Sequence, residues 1–334
     1  MRSRLLTLID RFARGRIVVL GDVAADEFLY GHVARVSREA PVLILEYDTT
    51  DVVAGSAGNA ANNVAAFGAR ALLFGCIGRD EAGDRLSASF HPTVDTKGLI
   101  RLRDYATPTK TRVLAGGIHS AKQQVVRIDR RQASVPTREV HETFGAKLDR
   151  ALATCHAVLI SDYGAGLVTP RLVSRIVRAV RRRKGVRVPI LVDSRYALDQ
   201  FGGLTACTPN ESEVEQLLGI RIDDDLKVLE QAGRSLLRQT GMEAVLITRG
   251  SRGMALFERD HATRHIPIFG SDEIADVTGA GDTVIAVMTQ ALAAGASFEE
   301  AARLANYAGG LVVMKRGTAT VSAPELRSAV ENAS

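Results

Sequence analysis

Four short apolar runs, each followed at once by polar residues, constrain the fold more than any other feature of the sequence. They are residues 17–20 before Gly21 and Asp22, 158–160 before Ser161 and Asp162, 190–192 before Asp193, and 244–247 before Thr248. Continuous Val, Ile and Leu runs are typical of strands that are buried on both faces, as in parallel sheets. Helical patterns lie between and around them, at 60–67, 171–184, 211–218 and 226–239. This alternation predicts an α/β fold with a doubly wound, mostly parallel sheet flanked by helices.

The polar residues that end these runs indicate where a ligand binds. Asp22, Asp162, Asp193 and Arg249 follow, or lie close behind, the four runs. In an open α/β sheet ligands bind beyond the carboxyl ends of the strands, so we expect the functional site there.

Two segments, at about 30–48 and 98–130, break the alternation of strand and helix. They carry β-branched and polar residues with little helical periodicity, which predicts antiparallel strands. We expect them to form a small β lid over the site. There is no Pro-, Gly- or Ser-rich linker and no internal repeat, so residues 1–334 are predicted to be one domain with this lid inserted.

Composition argues against two classes of partner. The excess of Lys and Arg over Asp and Glu gives a net charge of +5, but the densest basic run, 181–184, closes a predicted helix, where cations complement the dipole. Only 5% of residues are aromatic, which argues against a base-stacking nucleic-acid surface. No apolar run reaches the roughly 18 residues of a membrane span, and Asp10 interrupts the only candidate leader. We expect a soluble cytoplasmic protein.

The string DVTGAGD at 276–282 indicates the chemistry of this protein more specifically than any other motif, and a segment of high helix propensity follows it. Its Gly-Ala-Gly turn would deliver the first amides of a helix unobstructed, and such a helix start holds an anion. A carboxylate at this turn, Asp282, is explained if it removes a proton from a hydroxyl that attacks the anion, as in phosphoryl transfer. The alternative is that Asp282 only caps its own helix.

These motifs resemble those of the ribokinase/PfkB carbohydrate kinases. Besides 276–282, the glycine- and asparagine-rich stretch 55–68, the string TPNESE at 208–213 and the string TRGSRG at 248–253 follow the family order. Within the family, strings at 21–26, 30–31, 35–42, 108–113, 123–129, 161–164, 305–313 and 315–318 are most similar to kinases of D-glycero-β-D-manno-heptose 7-phosphate, including the kinase part of bifunctional heptose kinase/adenylyltransferases. We expect a stand-alone kinase form.

The resemblance implies that the γ-phosphoryl group of ATP is transferred to the anomeric hydroxyl of the heptose 7-phosphate. The product, a 1,7-bisphosphate, belongs to ADP-heptose and lipopolysaccharide core synthesis. Asp282 matches the catalytic base, and Gly279, Ala280 and Gly281 match the anion hole. The implied ATP-binding residues are Asn210, Glu213, Thr248, Gly250, Gly253 and Asn306.

Two cation sites and a substrate site are implied in the same way. Asn210 and Glu213 would hold Mg²⁺ through water, although Glu213 is alternatively a simple helix-start carboxylate; Asp276 and Thr278 would ligate a monovalent cation such as K⁺. Sugar hydroxyls would be bound by Asp26, Gly55 and Asn59, and the remote phosphate by the lid cations Arg35, Lys110, Arg112 and Arg127. Alternatively, any of these four cations belongs to a solvated strand face. A lid sheet with exposed edges also predicts a homodimer formed through the lid.

Three departures from the family pattern leave the identity of the sugar substrate undecided. Ser56 replaces the second glycine of a Gly-Gly pair, Ala165 replaces a lysine, and Ser194-Arg195 replaces Pro-Lys. Arg195 restores a charge, although its guanidinium does not superimpose on a lysine ammonium. The alternatives are therefore a kinase for another sugar or sugar phosphate, and a nucleotide-binding regulator without catalysis.

Overall fold

The computed structural model describes residues 1–116, 122–130, 137–270, 276–315 and 317–333. The strands are β1 (Arg16–Gly21), β2 (Val23–Val36), β3 (Leu43–Ser56), β4 (Arg70–Gly78), β5 (Asp95–Leu102), β6 (Thr109–Gly116), β7 (Gln123–Arg130), β8 (Ala157–Asp162), β9 (Ile190–Ser194), β10 (Ala206–Cys207), β11 (Ala244–Thr248), β12 (Met254–Glu258) and β13 (Arg264–Ile266). The helices are α1 (Arg2–Phe12), α2 (Ala57–Ala66), α3 (Glu81–Ala88), α4 (Thr137–Thr154), α5 (Pro170–Arg181), α6 (Glu211–Leu218), α7 (Leu226–Thr240), α8 (Ala280–Ala293), α9 (Phe298–Val313) and α10 (Ala323–Asn332).

The four apolar runs are the neighbouring strands β1, β8, β9 and β11 of one large sheet, with the two-residue β10 between the last two. Across the described residues the order is β13-β12-β11-β10-β9-β8-β1-β4-β5. Every pair from β11 to β5 is parallel, whereas β12 and β13 add antiparallel strands at one edge. The predicted α/β fold with a mostly parallel sheet is confirmed.

Two apolar cores, one on each face of the large sheet, explain why its strands are apolar throughout. Successive side chains of a strand point to opposite faces. In β1, Ile17 and Val19 therefore join the core formed with α1, α2, α8, α9 and α10, whereas Val18 and Leu20 join the core formed with α4, α5 and α7. All four side chains are fully buried.

The second, smaller sheet has the order β3-β2-β6-β7 and is named the lid sheet below. Strands β2 and β3 are antiparallel and each is 14 residues long; β6 runs parallel to β2, and β7 runs antiparallel to β6. Because β2 begins at Val23, directly after β1, and β3 ends at Ser56, directly before α2, the base of the lid sheet lies at the carboxyl end of the large sheet.

The bounds of the lid differ from those expected. Residues 98–102 belong to β5, which pairs with β4 in the large sheet. The reason is burial on both faces: Leu99 packs against one apolar core, and Ile100 and Leu102 pack against the other. The lid sheet also includes residues before 30 and after 48, since β2 and β3 reach down to α2. Residues 117–121 of the expected lid lie outside the described residues.

None of the helices in the described ranges is long and apolar enough to cross a membrane.

Candidate active site

A cleft of about 280 Å³ lies where the carboxyl ends of the parallel strands meet the base of the lid sheet. The lining residues come from three sources: the lid sheet, the ends of the large-sheet strands, and the starts of α6 and α8. They are Asp26, Ser56, Lys110 and Arg112; Tyr163, Asp193, Arg195, Thr208 and Thr248; and Asn210, Glu213, Val277, Thr278, Gly279, Gly281 and Asp282. A larger, open groove of about 750 Å³ between α4 and α5 contains none of the predicted site residues.

The glycine-rich turn before α8 has the conformation that an exposed helix start requires. Gly279 has a φ of 79°, in the left-handed region that favours glycine, and a Cβ there would lie 2.5 Å from Asn59 Nδ2. The Ala280 amide donates to Val277 O at 3.2 Å, whereas within the described residues the amides of Gly281 and Asp282 have no acceptor. These two donors, and the positive end of the helix dipole, are available to an anion.

Asp282 lies in the first turn of α8 and is buried, with 3% of its surface exposed. Its Oδ2 accepts a hydrogen bond from Asn59 Nδ2 at 2.9 Å, and its Oδ1 accepts one from the Tyr163 hydroxyl at 3.0 Å. Burial raises the pKa of Asp282 to about 6, and the two hydrogen bonds and the charge of Lys110 limit the rise. The carboxylate is therefore ionised at neutral pH and still basic enough to take up a proton.

Asn59 is held against Asp282 by a chain of side-chain hydrogen bonds between α2 and α8. Asn59 and Asn63 are four residues apart and so lie on one face of α2. Asn63 Nδ2 donates to Asn59 Oδ1 at 3.0 Å, and Thr283 Oγ1 donates to Asn63 Oδ1 at 2.9 Å. Asn59 is 1% exposed and does not line the cleft, so the structure places it beside Asp282 and not, as expected, among the groups open to a sugar.

Asp26 lines the cleft as half of a buried ion pair. Arg112 Nη1 donates to Asp26 Oδ1 at 2.6 Å, and Thr318 Oγ1 donates to Oδ2 at 3.2 Å. The pair spans the adjacent lid strands β2 and β6. Gly55 does not itself line the cleft, but a Cβ at Gly55 would lie 2.4 Å from Asp26 Oδ2. Glycine is therefore required at 55 for this carboxylate to be packed here.

Lys110 and Arg195 both lie near the ring of Tyr163. Lys110 Nζ is 4.8 Å from the ring centroid, and Arg195 Cζ is 4.3 Å from it, within the range of cation–π contacts. Burial lowers the pKa of Lys110. Sequence reasoning gave Tyr163 no role, although it stands in the string SDYG directly after the apolar run of β8, where site residues were expected.

Glu213 and Asn210 line the cleft from the start of α6. They form a capping box at the start of α6: Asn210 Oδ1 accepts from the Glu213 amide, and Glu213 Oε2 accepts from the Asn210 amide, both at 2.9 Å. Glu213 is thus a helix-start carboxylate that also faces the cleft. Burial raises its pKa. Burial, together with Glu213 and Asp282, raises the pKa of Asp193 well above its usual range.

The residues around Glu213 fit Mg²⁺ held mainly by water and phosphate. Mg²⁺ prefers oxygen ligands and usually keeps several waters. Asp193 and Glu213 supply carboxylates whose mutual repulsion a divalent cation would relieve. Within the described ranges, no group of three or more His, Cys, Asp or Glu side chains forms a complete metal site.

The other expected nucleotide residues are divided between the cleft and its surroundings. Thr248 lines the cleft, whereas Gly250 and Gly253 do not. Gly253 has a φ of 76°, and a Cβ there would lie 2.1 Å from Ile266 O, so it shapes the turn between β11 and β12. Asn306 on α9 is 7% exposed and donates to Pro267 O at 2.9 Å, outside the cleft. Arg249 pairs with Glu211 and also lies outside.

Only two of the four expected phosphate-binding cations reach the cleft. Lys110 and Arg112 line it, because alternate residues of β6 share one face. Arg127 lies opposite Arg112 on β7, one strand further out; it is exposed and pairs with Asp129 at 2.8 Å. Arg35 is exposed near the far end of β2.

Asp276 ties the glycine-rich turn to the segment after α9. Its Oδ1 accepts from the Thr278 amide at 2.8 Å, and its Oδ2 accepts from the Gly317 amide at 3.1 Å. Thr278 lines the cleft and Asp276 does not. A monovalent cation at this pair remains a prediction.

Two of the three departures from the family pattern face the cleft. Ser56 and Arg195 line it. Ala165 instead donates its amide to Asp22 Oδ2 at 3.0 Å, and Ser194 Oγ donates to Asp162 Oδ2 at 2.6 Å. Asp22 and Asp162 thus support the loop after β8 and do not line the cleft, whereas Asp193, at the end of β9, does.

Comparisons with known proteins identify the family of this chain. The family model described as pfkB family carbohydrate kinase matches residues 15–326. The chain is 40% identical over 320 residues to the bifunctional protein HldE of Geobacter metallireducens, covering 94% of this chain and 63% of that protein. It is 40% identical over 326 residues to the HldE of Coxiella burnetii, covering 96% of this chain and 65% of that protein. The chain therefore spans less than two thirds of the length of these relatives.

Solved structures show the same fold at low sequence identity. Arabidopsis thaliana ribokinase complexed with ribose and ATP has a TM-score of 0.70 and 21% identity, over 95% of this chain and 97% of that one. Escherichia coli phosphofructokinase-2 in complex with substrates and products has a TM-score of 0.72 and 17% identity, over 95% and 98%.

Proposed function

The chain belongs to the pfkB family of carbohydrate kinases, and on that premise we propose that it transfers the γ-phosphoryl group of ATP to the anomeric hydroxyl of D-glycero-D-manno-heptose 7-phosphate. The product would be the 1,7-bisphosphate, an intermediate of nucleotide-heptose synthesis. The choice of sugar is supported by the strings shared with heptose 7-phosphate kinases and by the relatives named HldE. ATP and a sugar phosphate as substrates favour a cytoplasmic location.

The observation that carries the proposal is the position of Asp282. A buried, basic carboxylate stands in a cleft, one residue after a glycine whose amide has no acceptor within the described ranges. A carboxylate is a poor choice for a site that only binds anions, because it repels them. It suits a site in which an anion must be attacked by a hydroxyl that loses its proton.

In the proposed reaction, the acceptor hydroxyl forms a hydrogen bond to Asp282 and gives it the proton. The hydroxyl oxygen attacks the γ-phosphorus, the bond from this phosphorus to the β–γ bridging oxygen breaks, and ADP leaves. A positioned base of this kind contributes about 10²–10⁴-fold in rate. The amides of Gly281 and Asp282 donate to the phosphoryl oxygens as charge develops, and Arg195 adds a fixed positive charge at the same cleft.

Asp193 and Glu213 are the residues that would hold Mg²⁺, through water, on the nucleotide side of the cleft. When bound, Mg²⁺ neutralises phosphate charge and orients the polyphosphate. Asn210 positions Glu213 through the capping box. The expected roles of Thr248 and the turn at 250–253 beside the ATP phosphates, and of Asn306 at the base, remain proposals.

On the acceptor side, we assign the sugar hydroxyls to Asp26, whose carboxylate is held by Arg112 and Thr318. Lys110 is the cation best placed for the remote phosphate, since it lines the cleft and forms no direct ion pair within the described residues, whereas Arg112 is paired with Asp26. Arg35 and Arg127 lie outside the cleft of a single chain, and a role for them requires the lid sheet to close or a second chain to approach.

A homodimer through the lid sheet is proposed from the apolar side chains that this sheet exposes. They are Val33, Val36, Val42, Leu43, Tyr47, Val125, Val126 and Ile128, all on or beside β2, β3 and β7. Exposed apolar side chains grouped on one small sheet are typical of a protein–protein interface. The outer edges of β3 and β7 also have no partner strand in the described part of the chain, which suits pairing with a second copy.

A coupled assay of ADP release tests the proposal. With ATP, Mg²⁺ and heptose 7-phosphate, we expect turnover that Asp282→Asn reduces by about 10²–10⁴-fold, because asparagine cannot accept the proton. Asp10→Asn is the matched control, since Asp10 lies on α1 and pairs with Arg327 far from the cleft. Near-wild-type turnover of Asp282→Asn would exclude the mechanism.

A second candidate is a kinase for another sugar or sugar phosphate, and it is favoured by Ser56 and Arg195, which depart from the family pattern inside the cleft. A panel of sugars and sugar phosphates separates the two. Activity on an unphosphorylated sugar alone would remove the heptose 7-phosphate assignment. Sugar-dependent ADP release of any kind would exclude a non-catalytic regulator.

A further inference from the structure

Ser56 has a backbone conformation that L residues rarely adopt. Its φ is 56° and its ψ is −132°, and among the non-glycine residues of the described ranges only Ser56 and Asp223 have a positive φ. Glycine adopts such a conformation without a steric penalty, whereas a side chain at Cβ makes it unfavourable. Strained residues of this kind persist only where the surrounding structure fixes them, and they are concentrated at functional sites.

The surroundings fix Ser56 from both sides. As the last residue of β3 it pairs with Val23 of β2, and the amide of the next residue, Ala57, donates to Asp22 O at 2.9 Å. The preceding residue, Gly55, is packed against Asp26 Oδ2. The turn from β3 into α2 therefore retains its shape whichever residue occupies position 56, and the serine is not needed to produce it.

Helix capping does not explain the serine either. Ser56 is the residue before α2, where a serine side chain normally accepts a hydrogen bond from an amide of the first turn. Here no such bond forms, and the φ and ψ of Ser56 are not those of an ordinary N-cap residue, which lies in the extended region. Within the described ranges the hydroxyl forms no other hydrogen bond; Ser56 as a whole is 3% exposed, but its oxygen is not among the fully enclosed unpaired atoms and so is open to the cleft.

The cleft is the remaining environment for this side chain. Ser56 lines it together with Asp26, Lys110 and Arg112, the groups on the acceptor side, and it follows the glycine that contacts Asp26. A serine hydroxyl is both a donor and an acceptor, as are the hydroxyls of a sugar. A hydroxyl that no protein group satisfies and that faces the cleft is available to a hydroxyl of the ligand, and a ligand without that hydroxyl loses one hydrogen bond.

We propose that Ser56 is a specificity-determining residue, whose hydroxyl binds a hydroxyl of the acceptor sugar beside Asp26. The inference rests on the proposed sugar kinase activity and adds a residue that recognises the acceptor. The strain at position 56 is retained because the side chain that causes it contacts substrate. Asp26 and Ser56 together would select acceptors with neighbouring hydroxyls on this side of the sugar.

Two variants separate the hydroxyl from the backbone effect. Ser56→Ala retains Cβ and the strain and loses only the hydroxyl, whereas Ser56→Gly loses both. We expect both variants to raise the KM for the acceptor sugar phosphate about five- to tenfold, the value of one neutral hydrogen bond, with the KM for ATP within about twofold of wild type. Only Ser56→Gly should unfold a few degrees higher, about 2–4 °C, because only glycine relieves the strain.

The outcomes distinguish this inference from the proposed function. A wild-type protein that phosphorylates no sugar or sugar phosphate overturns the proposed function. A wild-type protein that is active, with an unchanged acceptor KM in both variants, overturns only the role of Ser56. An increase confined to the KM for ATP would show that the Ser56 hydroxyl contacts the nucleotide, and it would also overturn the proposed role of Ser56. A higher acceptor KM in Ser56→Gly but not in Ser56→Ala would show that the backbone, and not the hydroxyl, sets the affinity.

Discussion

The hydroxyl of Tyr163 donates a hydrogen bond of 3.0 Å to Oδ1 of Asp282, across 119 residues of sequence. Tyr163 follows β8 and Asp282 lies in the first turn of α8, so the contact joins the large sheet to the helix that carries the proposed base. Asn59 donates to the other carboxylate oxygen. The two donors fix the plane of the carboxylate, and both favour its ionised form.

Removing the Tyr163 hydroxyl is expected to raise the pKa of Asp282 above its value of about 6, because the hydrogen bond lowers it. In Tyr163→Phe the acid limb of the kcat/KM profile should therefore move to higher pH, with a fall in kcat as the base becomes less well oriented. The measurement is kcat/KM between about pH 5 and 9 in both proteins. Tyr105→Phe, a buried tyrosine outside the cleft, is the control. An acid limb that does not move would contradict this role.

Asp22 is predicted to destabilise the fold at neutral pH. Burial raises its pKa to about 6 from 3.8, and its Oδ1 is buried without a partner within the described ranges. The folded state therefore binds more protons than the unfolded state between about pH 4 and 6, and the free energy of unfolding falls as pH rises through this window.

The substitution Asp22→Asn tests this prediction, because its amide oxygen still accepts from the amides of Tyr163 and Ala165. Above pH 6 we expect the variant to be more stable by about 1–3 kcal/mol, since a pKa raised from 3.8 to about 6 corresponds to about 3 kcal/mol at most. Below pH 4 the difference should disappear. Urea unfolding at several pH values measures it, and Asp10→Asn should show no such pattern. Equal stability of variant and wild type at pH 7 would refute the prediction.

Arg195 is expected to contribute to turnover more than to folding. It lines the cleft, and its guanidinium lies over the Tyr163 ring. Arg195→Ala should lower kcat about 10²-fold, the scale of one lost electrostatic contact to the transition state. Arg195→Lys should recover part of the lost kcat, because lysine retains the charge but not the planar stacking. Steady-state kinetics with both variants decide this, and a kcat for Arg195→Ala equal to that of wild type would place Arg195 outside the reaction.

The proposed dimer gives a prediction about association. Val126 on β7 is 48% exposed in the lid sheet, and Val186, beyond α5, is 51% exposed outside it. If a second copy covers the lid sheet, Val126→Glu buries a charge at the interface and should shift the protein from dimer to monomer. Val186→Glu should not. Sedimentation velocity measures both, and a wild type that is monomeric at micromolar concentration would exclude the dimer.

Local sequence patterns were sufficient to predict the fold and some of the residues that line the cleft. The runs that became β1, β8, β9 and β11 are apolar because both faces of each strand are buried, and this condition is visible in a few consecutive residues. The turn before α8 is equally local, since its glycines and Asp282 are neighbours in the chain. Asp26, Lys110 and Arg112 were predicted through family strings, and the structure brings them to the same cleft.

The remaining features depend on which distant segments pack together, and no single segment encodes that. Whether a lid arginine faces the cleft depends on strand order, which leaves Arg127 one strand too far out. Asn59 approaches Asp282 because α2 packs against α8, and Ser56 has a positive φ because β2 and α2 hold it from both sides. The architecture and the residue types of the site thus follow from local sequence patterns. Which of these residues meet depends on the packing of remote segments, because those contacts are set by the whole fold.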